Sequence, residues 1–220
     1  MMKIALINGS PKKIDSASGV LLKMVEENLN ESGSDNIFKC HIYSECNKEE
    51  TLEKLAECDT LLIAYPLYID TLPSHVLRFM KTFEDYLKTQ NNQKERRVFA
   101  ISNCGYYEAR HNKVGISVVE NWTSHIGALF AGAVAVGGGG MIPSVYKSAG
   151  NNGPLKTISA SMKKLADKIN DETNKEGEIQ EVHPAFPFFL YKKVSHNLWN
   201  KMAKENGLTK KDLEIKTQEA

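Results

Sequence analysis

Hydroxyl and lysine side chains follow the first apolar run of the chain. The run Ile4–Ile7 ends at a breaker sequence, Asn8-Gly9-Ser10-Pro11, and a helical pattern starts near Ser18. Residues 9–18 read GSPKKIDSAS, so three serines and two lysines lie in this loop. Serine hydroxyls and the free N–H groups of a helix N-terminus are donors that bind phosphate. The loop therefore predicts an anion site, and the alternative is a serine-capped helix start that binds nothing.

A second unusual loop follows the fully apolar run Thr60–Ala64. It reads YPLYIDTLPS over residues 65–74, with a proline near each end. Such a loop can turn backbone groups toward a flat ligand while Leu67, Tyr68 and Ile69 cover its face. The alternative is an apolar loop packed under a neighbouring segment, because large apolar side chains are costly to expose without a partner. Neither loop contains the Gly-Lys-Ser/Thr or GxGxxG pattern of common nucleotide-binding loops.

A third candidate loop follows the apolar run Val98–Ile101. It reads SNCGYYE over residues 102–108, and Gly105 permits a close backbone approach or a positive φ. The ring of Tyr106 could stack on a ligand. Cys104 is interpreted as a small buried side chain rather than a redox group, since free cysteines are mostly inert core residues. The four glycines at 137–140 are either a flexible rim or a wide turn, and both interpretations stay open.

Apolar runs and helical patterns alternate along the first 170 residues. Strands are predicted near 4–7, 37–43, 60–64, 98–101 and 129–136, and helices near 18–29, 52–56, 74–88, 113–126 and 155–169. Strands joined by crossover helices are parallel. The prediction is an α/β, flavodoxin-like three-layer sandwich, with a five-stranded parallel sheet of order 2-1-3-4-5 and helices on both faces. Ligands of such sheets bind beyond the carboxyl ends of the strands, where the three loops begin.

Composition limits the classes of partner. The chain has 220 residues, with 28 Lys and Arg, 27 Asp and Glu and a net charge of +1, which argues against nucleic acid. We see no apolar run of membrane-helix length and no secretory signal pattern. The four cysteines form no CxxC pair, and the six histidines show no ligand spacing. We therefore expect a cytoplasmic protein with no membrane partner, no metal and no disulfide.

The first two loops resemble those of a known family of flavoenzymes. Loop 9–18 fits G-S-P-[RK]…S-x-[ST] and loop 66–74 fits P-x-Y-x-x-x-[LM]-P-[AS], as in NAD(P)H-dependent FMN reductases and NAD(P)H quinone reductases of the flavodoxin-like fold. The resemblance covers roughly residues 3–170. It implies that the first loop binds the phosphate of FMN, the second lines the isoalloxazine ring, and the third contacts its pyrimidine side. The cofactor-binding residues that it implies are Ser10, Lys12, Ser16, Ala17, Ser18, Pro66, Leu67, Tyr68, Ile69, Asn103, Cys104, Gly105 and Tyr106.

The resemblance also implies an activity. It is that of an FMN-dependent NAD(P)H oxidoreductase, which moves a hydride from NAD(P)H through FMN to a quinone, a nitro or azo compound, or free flavin. No catalytic side chain is expected, because the cofactor carries the chemistry. A homodimer or homotetramer with a small-molecule electron acceptor is expected. The alternative is a flavodoxin-type electron carrier without its own nicotinamide site, although flavodoxins are strongly acidic and this chain carries +1.

The chain is longer than the predicted sheet requires. We expect a flavodoxin-like FMN-binding domain over residues 1–170, a charged linker over 171–182, and a C-terminal helical extension over 183–220. The extension contains an aromatic cluster, including Phe188, Phe189 and Trp199, which is too apolar for a disordered tail. Docking on the same chain or on a partner subunit is therefore expected.

Overall fold

The computed structural model describes residues 2–34, 36–45, 48–173, 177–209 and 211–214. These residues divide into two units, one ending at Ala185 and one starting at Phe186. The first unit contains the sheet and all three candidate loops. It is therefore the unit that positions the candidate site.

The first unit is built on a parallel sheet. Its strands are β1 (Ile4–Asn8), β2 (Ile37–His41), β3 (Thr60–Pro66), β4 (Arg97–Asn103), β5 (Leu129–Val136) and β6 (Ile179–Val182). Their order is β2-β1-β3-β4-β5-β6, which confirms the predicted order of the first five strands. The central strands β3 and β4 are almost wholly buried, as expected for apolar runs covered by helices on both faces.

The sheet has one strand more than the five that the sequence predicted, so that count is wrong. Strand β6 pairs in parallel with Ala133–Val136 of β5. It lies within the stretch 171–182, for which a charged linker was expected. A four-residue edge strand with a single buried side chain, that of Val182, contains no apolar run that marks it as a strand.

Helices cover both faces of the sheet. They are α1 (Ala17–Glu31), α2 (Ile42–Glu45), α3 (Glu49–Ala56), α4 (Ser74–Thr89), α5 (Lys113–His125), α6 (Ile142–Ala149) and α7 (Lys156–Asn170). On one face, a core that includes Phe79 and Phe83 joins α3, α4 and α5 to the strands. On the other face, a core that includes Met24 and Met162 joins α1 and α7 to the strands. Burial on both faces gives the three layers that the sequence predicted.

The register of the sheet brings the candidate loops together. Asn8 lies opposite Ala64, Pro66 lies opposite Asn103, and Asn103 in turn lies opposite Val136. The loops after β1, β3, β4 and β5 therefore all leave the sheet at the carboxyl ends of its strands, which form one edge of the sheet. This edge holds the three predicted loops and also the glycine segment 137–140.

The second unit contains helix α8 (Phe188–Glu205), which follows Pro187. Among its residues only Ala203 is buried, so its large apolar side chains are at least partly exposed. A short 3-10 turn at Asp212–Glu214 follows. None of the described helices combines the length and apolarity that crossing a membrane requires. The docking role expected for this extension stays a prediction.

Candidate functional site

The loop after β1 holds three serine hydroxyls in defined hydrogen bonds. Ser10 Oγ accepts from the backbone N–H two residues later at 3.2 Å, and Ser16 Oγ accepts from the backbone N–H three residues later at 3.0 Å. Ser18 Oγ accepts from the side-chain amide of Asn103 at 2.9 Å. All three serines are buried. Among the described residues none of these three hydroxyls donates to a protein acceptor, so each hydroxyl proton is available for donation to a ligand.

Helix α1 begins at the same loop and adds backbone donors. Ser16 is its N-cap, and the Ser16 carbonyl accepts from the N–H of Val20 at 3.0 Å. The N–H groups of a first helical turn have no partner within the helix. The cap takes the N–H of Gly19, so the N–H groups of Ala17 and Ser18 are left to bind an anion. The helix dipole also favours negative charge at this end.

An ion pair balances the carboxylate of this loop. Asp15 Oδ2 lies 2.5 Å from Nζ of Lys147, which lies on α6. An unpaired carboxylate beside a phosphate site would repel the ligand. The Asp15 carboxylate pairs with Lys147 and not with Lys12 or Lys13. These two lysines therefore remain as further cations of the loop. The loop therefore favours an anion despite its aspartate.

The loop after β3 is a tight turn with a strained backbone. The backbone groups of Tyr68 and Thr71 pair across the turn with N···O distances of 2.9 and 3.3 Å. Between them, Ile69 has a φ of 49° and Asp70 a φ of 60°. The left-handed region is costly for a β-branched residue. The turn leaves the Ile69 side chain 97% exposed.

Asn103 lies beneath the site and connects three of its loops. Its side-chain nitrogen Nδ2 lies 2.9 Å from both Ser18 Oγ and the carbonyl oxygen of Tyr65. The backbone carbonyl oxygen of Asn103 accepts from the N–H of Leu67 at 2.7 Å. The loops after β1 and β3 are thereby joined to the end of β4 by one residue that is only 4% exposed.

The glycine segment 137–140 is an ordered wall of the site. The N–H of Gly138 donates to the carbonyl of Tyr106 at 2.6 Å, and the N–H of Gly139 donates to the carbonyl of Cys104 at 2.7 Å. Gly138 has a φ of 69°, which favours glycine. The segment is therefore bonded to the loop after β4, and its residues Gly139 and Gly140 line the cavity.

Asn112 supports the loop after β4 from within the core. Its Nδ2 donates to the carbonyl of Ala109 at 2.9 Å and lies 3.3 Å from the sulfur of Cys104. Its Oδ1 accepts from Ser102 Oγ at 2.8 Å. Burial raises the pKa of the Cys104 thiol, which suits a neutral packing role better than a reactive thiolate. Asn112 was not predicted from the sequence, because a single Asn ahead of a helix resembles an ordinary surface cap.

A cavity of about 210 Å³ lies among these loops. Of the predicted residues, those that line it are Ser10, Lys12, Ser16, Ala17, Ser18, Pro66, Leu67, Tyr68, Asn103, Cys104 and Gly105. The other two do not line it: Ile69 extends away, and the Tyr106 ring stacks on His111 with 4.2 Å between centroids. The lining residues that were not predicted from the sequence are Asp15, Gly139, Gly140 and Pro143. The glycine run after the fifth strand was the signal that could have located two of them.

A larger depression of about 790 Å³ lies at the opposite end of the sheet. It is lined by residues that precede or begin strands, among them Asp59, Glu95, Arg96 and Arg97. Acidic and basic side chains are mixed there, and none of the candidate loops reaches it. The cavity at the carboxyl ends is therefore the better candidate, although it is smaller.

Metal and disulfide chemistry find no support in the described part of the chain. No group of three or more His, Cys, Asp or Glu side chains there could hold a metal ion. Cys58 and Cys104 form no disulfide, and Cys40, Cys58 and Cys104 are all buried. Cys46 lies outside the described residues.

Comparisons with known proteins give matches by structure and none by sequence. Neither the protein-family models nor the curated proteins include a match to this chain. Among solved structures, the NADPH-quinone reductase of P. pentosaceus has a TM-score of 0.55 at 14% identity, over 75% of this chain and 98% of that one. An FMN-dependent NADH-azoreductase of Bacillus anthracis, in complex with FMN, has a TM-score of 0.50 at 16% identity, over 77% of this chain and 100% of that one. The apo form of an NADH:FMN oxidoreductase has a TM-score of 0.53 at 13% identity, over 80% of this chain and 95% of that one. At these identities the likeness shows the fold, so this chain has the flavodoxin-like α/β fold on which those reductases are built.

Proposed function

We propose that the protein is an FMN-dependent NAD(P)H oxidoreductase. Its acceptor is a small molecule such as a quinone, a nitro or azo compound, or free flavin. The observation that carries the proposal is the donor set of the first loop, in which three serine hydroxyls and two free N–H groups surround one cavity. A phosphate monoester is the anion that such a set suits. The same cavity continues to the apolar loop after β3, which suits a flat ring system.

The residues that line the cavity fit both the phosphate and the ring of FMN. Ser10, Ser16 and Ser18 would hold the phosphate, with Lys12 adding positive charge. Leu67 and Tyr68 would cover the ring on the side of β3. The named functions of the similar structures, a quinone reductase, an FMN-dependent azoreductase and an NADH:FMN oxidoreductase, support FMN over other phosphate ligands.

The chain binds and orients the cofactor. When bound, FMN supplies the hydride-accepting and electron-donating chemistry. The N–H groups of Leu67, Tyr68 and Cys104 donate within the protein, so they hold the loops in place rather than bind the ring. We assign no catalytic side chain, since hydride transfer through the ring demands no protein acid or base.

A flavodoxin-type carrier would share the fold and the cofactor but would lack a nicotinamide site. Purified protein is expected to bind FMN, to become yellow, and to oxidise NADH or NADPH in the presence of a quinone. Absorption spectroscopy and a steady-state assay measure both properties. A protein that stays colourless with added FMN contradicts the proposal, and a yellow protein inert toward both nicotinamides favours the carrier.

The expected assembly is part of this proposal. The small-molecule acceptor, the homodimer or homotetramer and the cytoplasmic location all stay predictions. Light scattering coupled to size-exclusion chromatography measures the assembly directly. A monomer at micromolar concentration would contradict this part of the proposal while leaving FMN binding unaffected.

A further inference from the structure

We propose that Asn103 is a positioning residue that fixes the direction of the Ser18 hydroxyl and so makes the site selective for a phosphorylated flavin. The inference rests on the proposed function, because it concerns how that site recognises its cofactor. It differs from the expectation that Asn103 contacts the cofactor directly.

The partners of the Asn103 side chain determine which way its amide points. The carbonyl oxygen of Tyr65 can only accept a hydrogen bond, so the side-chain atom 2.9 Å from it must be the nitrogen. The same nitrogen lies 2.9 Å from Ser18 Oγ. An amide nitrogen carries two protons, and these two bonds use both of them. Asn103 borders the cavity, yet its amide has no proton left for a ligand.

This arrangement fixes the role of the Ser18 hydroxyl. Ser18 is 1% exposed and borders the cavity. Since its oxygen accepts from Asn103, its own proton must be donated elsewhere. Within the described residues its hydroxyl donates to no protein acceptor, and the cavity is the space in front of it. Asn103 therefore makes Ser18 a donor toward an anion.

Burial makes this direction matter. A hydroxyl that donates to a phosphate dianion forms a charge-assisted bond, which is stronger than a bond between neutral groups. A hydroxyl turned the other way would present its oxygen to the same dianion. Because Ser18 is buried, water does not screen the difference in energy between these two orientations of its hydroxyl. The effect should therefore appear as selectivity for FMN over riboflavin, which has the same ring and no phosphate.

A double-mutant cycle on the full chain tests the inference. Dissociation constants of FMN and riboflavin are measured by flavin fluorescence for the wild type, Asn103→Ala, Ser18→Ala and the double variant. The selectivity is the dissociation constant of riboflavin divided by that of FMN. In this ratio, effects that act on the ring site alone cancel. We expect each single change to lower this selectivity by about ten-fold, the typical loss of a hydrogen bond to a charged group. The double variant should lose no more selectivity than Ser18→Ala alone.

The variant Asn103→Asp separates positioning from simple packing. A carboxylate of the same shape accepts a hydrogen bond instead of donating one, so the Ser18 hydroxyl would turn toward it. Its charge would also repel the phosphate. We therefore expect Asn103→Asp to lose more selectivity than Asn103→Ala. Because this repulsion alone also makes Asp worse than Ala, Asn103→Asp is combined with Ser18→Ala. A loss that acts through the Ser18 hydroxyl is then less than additive, whereas a loss by repulsion alone is additive.

Ser16 provides the matched control. Its hydroxyl accepts from the backbone of its own helix, whereas the two amide protons of Asn103 go to Ser18 and Tyr65. The cycle of Asn103→Ala with Ser16→Ala should therefore be additive. Thermal unfolding checks that each variant folds, and Asn103→Ser replaces Asn103→Ala if the alanine variant does not.

Two results would overturn the inference. One is additive loss in the Asn103–Ser18 cycle, and the other is a milder effect of Asp than of Ala. Failure of the proposed function looks different, because wild-type protein would then bind neither flavin. That result would remove both proposals, whereas normal FMN binding with an additive cycle removes only the role of Asn103.

Discussion

Gly137 lies directly against the backbone of Tyr107. A Cβ atom added to Gly137 would lie 1.9 Å from the carbonyl oxygen of Tyr107. On its other side, the N–H of Gly137 donates to the carbonyl of Val182 in the edge strand β6 at 2.9 Å. The glycine therefore joins the sheet to the loop after β4, and no residue with a side chain fits there without moving one of them.

Gly137→Ala is expected to destabilise the protein by about 2 kcal/mol or more, because the added methyl group overpacks a site closed by backbone atoms. It should also weaken FMN binding, since the displaced loop borders the cavity. Gly140→Ala is the control for stability, as a Cβ there meets nothing within 4 Å. Chemical denaturation and flavin titration measure the two effects. Equal stability of the two variants would contradict the close approach.

Lys147→Ala is expected to weaken FMN binding by about two- to five-fold, because it leaves the charge of Asp15 unbalanced beside the phosphate site. The loss should shrink as salt is added, since the pair is exposed to solvent. Adding Asp15→Asn should restore most of the affinity. If it does not, Lys147 acts on the ligand itself rather than through Asp15. Lys163→Ala on α7 is the charge-matched control, with no expected effect.

Ile69→Gly is expected to raise the free energy of unfolding by about 1 kcal/mol, because glycine removes the penalty of a left-handed backbone. Ile14→Gly is the control. Ile14 is also exposed, at 79%, and is not among the residues with a positive φ. There the added chain freedom of glycine should lower stability. Urea unfolding of both variants measures the difference, and a loss of stability at both positions would show that the turn is not strained.

The stability of the protein should fall at alkaline pH through Cys58. Burial raises the pKa of this thiol to about 11. An unfolded thiol ionises near pH 8.5, so the unfolded state loses its proton first as pH rises. This contribution is complete below about pH 8.5 and is lost toward pH 11, by at most about 1.4 kcal/mol per pH unit.

Cys58→Ala isolates that contribution from other groups that titrate in the same range. The variant should be less stable than the wild type near neutral pH, because it leaves a small cavity. The difference should narrow between about pH 9 and pH 11 as the wild type loses stability. Denaturant unfolding at several pH values measures it, and a constant difference across that range would argue against a raised pKa.

Much of the fold was readable from the sequence because buried parallel strands are continuous apolar runs. The run over 60–64 and the run over 98–101 became β3 and β4, with both faces buried. Strand β6 was not readable, since a short edge strand has one neighbour and few apolar positions. Its pairing depends on contacts with β5 that are distant along the chain.

In the candidate site, too, some features were readable from the sequence and others were not. Local signals located the hydroxyl loop and the proline-bracketed loop, because breakers and caps act over a few residues. They did not identify Asn112, or the pair of Asp15 with Lys147, whose partners are separated by 132 residues. Ile69 and Tyr106 were predicted at the cavity from their positions in loops, and the backbone turned both away from it.

By itself, the sequence determined the layered α/β architecture and the identity of the loops at the ligand-binding edge, since periodicity and turn chemistry are local. The tertiary structure decided which groups those loops present. Ser18 became a donor because Asn103, from a strand two places away in the sheet, occupies its oxygen. The glycine run became a wall because backbone of the loop after β4 fills the space that side chains at Gly137 and Gly139 would need. The direction of a hydrogen bond and a close approach of two backbones each depend on two segments that are distant along the chain. The sequence of either segment alone does not determine them.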